Sequence, residues 1–428
     1  MNILVIGSGG REHALVWKLR QSPGVKEIYC APGNAGIAGL ANCIPVKATD
    51  LRGLLKLTGE KQIDLTVVGP EQPLVMGIVD LFRNNGKVIF GPTEKAAQLE
   101  GSKAFAKDFM TRHNIPTAKY GIFSLQQRKE AEEFVRSAQA PLVVKADGLA
   151  AGKGVVMCDT KEVALLTLRQ ILEDKIFGQA GEKVVIEECL RGEEASIFAL
   201  CDGTNIVTLA AAQDHKRILE GDLGKNTGGM GAYAPAPLMT SELRDRVVNE
   251  AIRPTLNGMQ SEGTPYTGCL YVGLMVTERG PMVLEYNCRF GDPETQVVVP
   301  LIDGDFAELL FSASTGSLRP EQARQHPASA VCVVMASRGY PDDYETGKEI
   351  KGLDSVTADE GEVVFHAGTR NENGRTVTAG GRVLGVTAIG YGHDLAGTIH
   401  AAYRIVDRIT FDGAYYRRDI GRKALMSA

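Results

Sequence analysis

The sequence has no surplus of positive charge, no paired cysteine motif and no uncharged apolar run long enough to cross a bilayer. Its 47 basic residues are outnumbered by 52 acidic ones, for a net charge of −5. No long Lys/Arg run supplies a local basic patch, so a nucleic-acid partner is not expected. The eight cysteines are scattered. Most sit inside apolar runs, as Cys158 and Cys332 do, which suits buried free thiols in a reducing cytoplasm. The seven histidines show no His-x-x-x-His spacing that would hold a metal. The N-terminal MNILVIGSGGREH has no basic region before its apolar run, so it reads as a strand and not as a signal peptide. Repeats, low-complexity tracts and heptads are missing too. These absences leave a cytoplasmic globular protein with no membrane or nucleic-acid partner.

Two phosphate motifs are approached and missed. Residues 145–155 read KADGLAAGKGV. A P-loop needs four residues between its glycine and Gly-Lys-Ser/Thr. Here three residues separate Gly148 from Gly152-Lys153, and Gly154 stands where the magnesium-binding hydroxyl would be. The β-branched run from Gly154 to Cys158 predicts a strand, where a P-loop would enter a helix. The segment therefore reads as strand, glycine loop, strand. Such a loop can close over a nucleotide, although an ordinary glycine-rich hairpin meets the same pattern. At the N-terminus, GSGGREH would need glycine at position 12 for a dinucleotide turn, and Glu12 is there. A glycine turn feeding a helix still offers free N–H groups to an anion, with Arg11 beside it.

What is present is a chain of 428 residues, 44% apolar and 23% charged, enough for two to four domains. NILVI, EIYC, DLTVVG and KVIFG are strand candidates with helical segments between some of them, which predicts an open parallel sheet up to about residue 101. Gly9, Gly10, Arg11, Asn34 of PGNAG and the Gly69-Pro70-Glu71 turn would gather at the carboxyl ends of its strands. A small phosphorylated, sugar-like ligand would suit them, as would plain tight turns. A helix, SKAFAKDFMTRHNIP, opens a strand-rich second region at 102–318. PLVVKA, GVVMC, KVVIEE, ASIFALC and NIVTLAAA predict antiparallel strands, and helices are expected near 124–139 and 161–173. CLYVGLMVT and PMVLEYN predict a hairpin. The polar RPEQARQHP stretch at 319–327 reads as a linker to a small third region, 328–428.

Within this frame, Glu285, Asn287 and Arg289 alternate at the strand period and share a face if the strand persists that far. The hard oxygen donors of Glu285 and Asn287 suit Mg²⁺ or Mn²⁺ bridging nucleotide phosphates. Arg289 can neutralise a transferring phosphoryl group or clamp a carboxylate. Lys103 and Lys145 are candidate phosphate contacts, because Lys145 ends an apolar strand where an unpaired charge is costly. A snorkelling lysine would fit that position as well. VVIEECLRGEE, holding Glu187, Leu190 and Glu194, ends a strand in acids and could edge a base and hold ribose hydroxyls. Asp214 in QDHKR and Gly228 and Gly229 in NTGGMGAY lie in a long loop pair that suits substrate enclosure.

Together GSGGREHAL, APGNAG, VVGPEQPLV, QLEGSKAFAKDF, KADGLAAGKGV, QDHKR, NTGGMGAY, EYNCRFGDPETQ and TAGGRVLGV resemble the ATP-grasp ligases, and among them the glycinamide ribonucleotide synthetase family. The resemblance runs nearly end to end. It implies an α/β and α+β multidomain fold: an open parallel phosphoribosylamine-binding domain at 1–101, an ATP-grasp domain at 102–318 with a mobile lid roughly at 118–191, and a C-terminal α+β domain at 328–428. It implies ATP-dependent joining of glycine to 5-phosphoribosylamine in purine biosynthesis, through glycyl phosphate. Lys103, Lys145 and the Gly152-Lys153-Gly154 loop would then contact ATP phosphates. Glu187 and the Leu190 backbone would edge the adenine, Glu194 the ribose, and Glu285 and Asn287 the metal. Arg289, Asp214, Gly228 and Gly229 would surround glycine and the acyl phosphate, and Gly9, Gly10, Arg11 and Asn34 would receive the phosphoribosyl group. A monomer or weak homodimer with no appended domain is expected. One departure is Lys225, where the family pattern has proline before NTGGMG. The alternatives are an ATP-grasp ligase for a different carboxylate and amine, or a catalytically silent nucleotide sensor.

Overall fold

The computed structural model describes residues 1–150, 154–356, 361–392 and 394–426. The N-terminal apolar runs form a five-stranded sheet, parallel throughout. Its order is Asn42–Cys43, Glu27–Pro32, Asn2–Gly7, Leu65–Val68, Ile89–Phe90. The chain reverses direction across the sheet at Asn2–Gly7, so a crevice lies beyond the carboxyl ends of this strand and Leu65–Val68. Helix Gly10–Leu19 starts there and is buried over most of its length, Arg11, Glu12 and His13 included. The short edge strand Asn42–Cys43 carries too few residues to show a period.

Two antiparallel sheets follow. Tyr120–Ser124, Lys183–Glu188, Leu142–Ala146 and Val155–Cys158 form one, in that order. Helices Arg128–Ser137 and Lys161–Leu172 cover it with a core of its own that includes Ala131, Val135, Leu168, Ile171 and Ile186. The KADGLAAGKGV segment is thus a hairpin connection, closed where the Ala146 N–H donates to the Gly154 carbonyl at 2.8 Å. The other sheet runs Ile206–Thr208, Glu193–Asp202, Thr267–Thr277, Gly280–Asn287. Its last two strands are the expected hairpin, with the register shifting between Gly273 and Leu274.

The long loop pair is more ordered than its polar composition suggested. Arg217–Leu219 and Leu223–Asn226 pair with each other. Gln213–Asp214 and Gly231–Ala234 extend the sheet formed by Ala328–Ala336, Arg382–Tyr391 and Glu362–His366. Segments more than a hundred residues apart therefore share one sheet, a pairing that no local period can reveal. The supposed linker at 319–327 is also tied down, because Arg324–Gln325 pairs with Ile302–Asp303. The fully buried Arg417 stitches the C-terminal segment to the 217–226 hairpin. Its guanidinium donates to the Arg217 carbonyl (3.0 Å), to Asp222 (2.9 Å) and to Asp419.

Candidate functional site

At the crevice of the parallel sheet, Glu12 decides what the glycine turn can do. Its carboxylate accepts from the Gly9 N–H and from Arg11 Nε, the latter at 2.7 Å. A Cβ on Gly69 would sit 2.1 Å from Glu12 Oε1, and one on Gly7, whose φ is +128°, would sit 2.6 Å from its Cδ. These glycines make room for a glutamate, in the space a dinucleotide turn keeps for pyrophosphate. Arg11 is buried and also donates to the Phe290 carbonyl at 3.1 Å. It is therefore not the free cation expected beside the turn. The Asn34 side chain is engaged as well. Its Nδ2 donates to the Ser8 and His366 carbonyls (2.9 and 2.8 Å), and its Oδ1 accepts from the Gly36 and Ile37 N–H groups. Asn34 thus clamps the first sheet to the C-terminal one. Gly10 faces Gln296 and Asp292. Burial would raise the Asp292 carboxyl, but Arg382 and Arg11 outweigh it and hold it below its ordinary value.

Arg289 lies two residues past the strand end at Asn287. It still meets the face expected for it, because its Nη2 donates to Asn287 Oδ1 at 3.2 Å. It also pairs with Glu100 at 2.8 Å and Glu71 at 3.4 Å. Burial raises Glu100. At Glu71 burial acts the same way, but Arg289 and Arg11 bring the carboxyl below its ordinary value. Glu285 differs, carrying no hydrogen bond or ion pair among the described residues. With Asn287 it offers hard oxygen donors one strand period apart, a donor set whose chemistry fits a hard divalent cation such as Mg²⁺. Among the described residues no group of three or more His, Cys, Asp or Glu side chains could hold a metal alone.

The anion that meets Lys145 is Glu187, with Lys145 Nζ 2.9 Å from its Oε1 and Lys107 Nζ 3.1 Å from its Oε2. Burial lowers Lys107 to about 8 against the opposing pull of Glu187. Lys145 also reaches the Leu284 carbonyl at 3.4 Å, which joins the two antiparallel sheets. Lys103 Nζ donates to the Gly148 carbonyl at 3.1 Å, at the root of the glycine loop. Gly152 and Lys153 lie outside the described residues. Leu190 packs in an apolar patch with Ala118 and Met282, a surface that suits a flat base. Asp214 and Glu194 share one cation, Lys216, at 2.9 and 2.8 Å. Burial lowers that lysine, but the two acids outweigh it and raise it well above its ordinary value. Nearby, the buried Glu294 accepts from Tyr271 Oη at 2.9 Å and is pushed up to about 7 by burial and Asp214.

The NTGGMG loop packs on the cluster's edge. Gly229 has φ +108°, and a Cβ there would lie 2.4 Å from Pro293 Cδ. The Gly228 carbonyl accepts from Arg382, and its N–H donates to Tyr340 Oη at 2.9 Å. The departing Lys225 reaches an anion, Asp342, at 2.7 Å. Sequence reasoning passed over Lys107, Lys216, Glu100, Glu294 and Arg382. Only Lys107 left a local signal, lying one helical turn after Lys103 and so on the same face.

Linked antiparallel sheets, with buried lysines, acids and an arginine where they meet, define an ATP-grasp enzyme, and the ATP-grasp (A) domain model of phosphoribosylglycinamide synthetase matches residues 101–295. The N and C domain models of the same family match residues 1–100 and 330–423. The phosphoribosylamine–glycine ligase of Chlorobaculum tepidum is 52% identical over 429 residues, 99% of this chain and 100% of that one. That of Pseudomonas aeruginosa is 50% identical, over 99% and 98%. The crystal structure of the Thermotoga maritima phosphoribosylamine–glycine ligase superposes with a TM-score of 0.85 at 36% identity, covering 98% of this chain and 100% of that one. The chain belongs to the phosphoribosylglycinamide synthetase family, and it is an ATP-dependent ligase.

Two buried histidines, His13 and His215, and the half-buried His366 set a pH response. His13, which accepts the His366 N–H at 2.7 Å, is lowered to about 3 by burial and the His366 charge. His366 is lowered to about 4 by burial, and His215 to about 4 by burial and Arg417. Below an ordinary value near 6.5 the unfolded chain takes up three protons that the folded one refuses, so stability falls as pH falls. Glu294 opposes this by one proton, held only by the folded state up to about 7. The expected outcome is a net loss of about 3 kcal/mol between pH 6.5 and 5. Urea unfolding at both pH values checks it, and equal or greater stability at pH 5 would refute it.

Proposed function

We propose that this chain joins glycine to 5-phosphoribosylamine, converting ATP to ADP and phosphate, as an early step of purine biosynthesis. The observation that carries the reading is the full-length match to phosphoribosylamine–glycine ligases. The site supports it chemically. A carboxylate is a poor acyl donor. In the proposed course a glycine carboxylate oxygen attacks the γ-phosphorus, and the bond to the β-phosphate oxygen breaks. ADP leaves, and glycyl phosphate remains. The phosphoribosylamine nitrogen then attacks the acyl carbon and loses a proton, and phosphate departs with the acyl–oxygen bond electrons.

Lys103 and Lys145 would hold the phosphates, and Arg289 with Asp214 would orient the glycine carboxylate and the acyl phosphate. Glu187 and the Leu190 backbone would edge the adenine, with Glu194 on the ribose. The turn at Gly9 and Gly10 would receive the phosphoribosyl phosphate, with the Gly10 N–H offered to it and the Gly9 N–H held by Glu12. The tied side chains of Arg11 and Asn34 would shape that pocket and leave direct phosphate contact to the backbone. Gly228 and Gly229 would close over glycine. Glu285 and Asn287 would hold Mg²⁺ or Mn²⁺, which would supply charge that neutralises the nucleotide phosphates. The residues act by positioning and charge, so no enzyme-bound covalent intermediate is needed. Acyl phosphate hydrolyses readily, and in this reading the 118–191 segment is a lid that keeps water out. The eight free cysteines suit a reducing cytoplasm, where the chain would work as a monomer or weak homodimer.

Phosphate release from ATP, measured with glycine and freshly made phosphoribosylamine and with each omitted in turn, tests this reading. Release that needs both, with product mass matching glycinamide ribonucleotide, is expected. Release indifferent to glycine but responsive to another carboxylate would remove the substrate assignment. A Glu285→Ala variant is expected to keep its melting temperature and lose at least about a hundredfold in turnover at limiting Mg²⁺. Near-normal turnover there would remove the metal assignment.

A further inference from the structure

Lys107 has no part in the mechanism above, yet it is among the most deeply buried charges of the chain. It projects from helix Lys103–Arg112, one turn after Lys103. Its Nζ is fixed on two sides. It donates to Thr117 Oγ1 at 2.7 Å, and that hydroxyl donates onward to the Val283 carbonyl at 2.6 Å. It also lies 3.1 Å from Glu187 Oε2. The Thr117 link runs into the strand that carries Glu285, so Lys107 is held by the framework at a set place.

Glu187 is asymmetric between its two lysines. Its Oε2 faces the fixed Lys107. Its Oε1 lies 2.9 Å from Lys145, the cation that phosphate would draw away. A buried carboxylate oxygen that loses its cation needs another donor. A base N–H would supply one, and the apolar patch of Leu190, Ala118 and Met282 would pack against the ring. Lys145 cannot serve Glu187 and a triphosphate equally. When phosphate draws Lys145 away, Lys107 stays paired with Glu187 Oε2 at 3.1 Å.

We propose that Lys107 is a positioning residue for nucleotide-base selection: it pins Glu187 Oε2 when Lys145 turns to phosphate, and so aims Oε1 at the 6-amino group of an adenine-type base. This deepens the reading above and rests on its assignment of Glu187 to the adenine edge. Adenine presents an amine donor at that position, and guanine presents a carbonyl oxygen that an ionised carboxylate repels. Without Lys107, Glu187 would turn to Lys145, holding it back from phosphate and losing the direction in which Oε1 is aimed, so discrimination would relax. A site built to hydrogen-bond one group rejects its analogue far more strongly than an apolar pocket does.

The test uses the full chain. Steady-state kinetics with ATP and with GTP, at saturating glycine and phosphoribosylamine, are paired with calorimetric titration of ADP and GDP. In Lys107→Met the KM for ATP is expected to rise at least about tenfold, with kcat within about threefold. The ATP-over-GTP ratio of kcat/KM, and the ADP-over-GDP affinity ratio, are expected to fall at least about tenfold. Lys107→Arg should recover most of both ratios. In a Glu187→Gln background Lys107→Met should change them by less than about threefold, since it acts through Glu187. Unchanged ratios would overturn the proposal, as would a uniform loss across all substrates or a full additive effect in the Glu187→Gln background. If Lys107→Met does not fold, Lys107→Gln removes the charge, and its ratios are judged by the same limits. If the unaltered chain consumes no ATP with glycine, the function reading fails. The ADP and GDP titrations still judge Lys107 in that case.

Discussion

A charge taken out of water must meet its opposite, and the burial of Arg289 imposes that demand where the parts of the chain join. Glu71 comes from the turn after the parallel strand Leu65–Val68, Glu100 from the segment leading into helix Lys103–Arg112, and Asn287 from the end of an antiparallel strand. Removing the guanidinium would leave the buried Glu100 carboxylate without its cation. Breaking a buried pair of this kind costs about 3–5 kcal/mol. The parallel sheet and the hairpin that carries Glu285 are therefore held in one arrangement by a residue assigned to substrate.

The same constraint is met repeatedly around the site. Glu187 lies between Lys107 and Lys145, Lys216 between Asp214 and Glu194, and Asp292 beside Arg382. Buried pairs such as Glu187 with its two lysines add little net stability over apolar packing, and the more exposed Lys216–Glu194 pair adds less, so their value lies in fixing position. They also set the terms on which a charged substrate enters. In the proposed reading a triphosphate would compete with Glu187 for Lys145, and a glycine carboxylate with Glu71 and Glu100 for Arg289. Glu285, with no ion pair among the described residues, would be the acid left open to a cation. The ligation is then a matter of exchanging internal partners for substrate ones inside a fixed frame, as electrostatic positioning requires.

Much of this was legible in the sequence wherever a short period carries the information. The alternation of strands and helices gave the parallel sheet, and period two put Glu285 and Asn287 on one face. The missing glycine at position 12 argued against a dinucleotide, and the structure supplies the reason, since the Glu12 carboxylate fills the turn. Long-range pairing was not legible. Nothing near Gln213 or Gly231 announces that they join strands from beyond residue 328, or that Arg417 fastens the hairpin between them. Residue type alone could not show the internal bonds of Arg11 and Asn34. A basic or amide side chain beside a glycine turn suggests a ligand, and here each also meets backbone carbonyls and neighbouring groups. Lys107 was within reach of sequence reasoning, because helical spacing puts it beside Lys103.

The central claim is that the glycine carboxylate itself becomes phosphorylated in this frame of paired charges. Its most direct measurement is the fate of the carboxylate oxygen. With glycine labelled by ¹⁸O in its carboxyl group, and ATP, phosphoribosylamine and Mg²⁺ supplied, the released phosphate is examined by mass spectrometry. Transfer of one labelled oxygen to phosphate in each turnover is the predicted result, whatever the order of substrate binding. Phosphate that carries no label while product accumulates would mean that the carboxylate never attacked phosphorus, and would contradict the account.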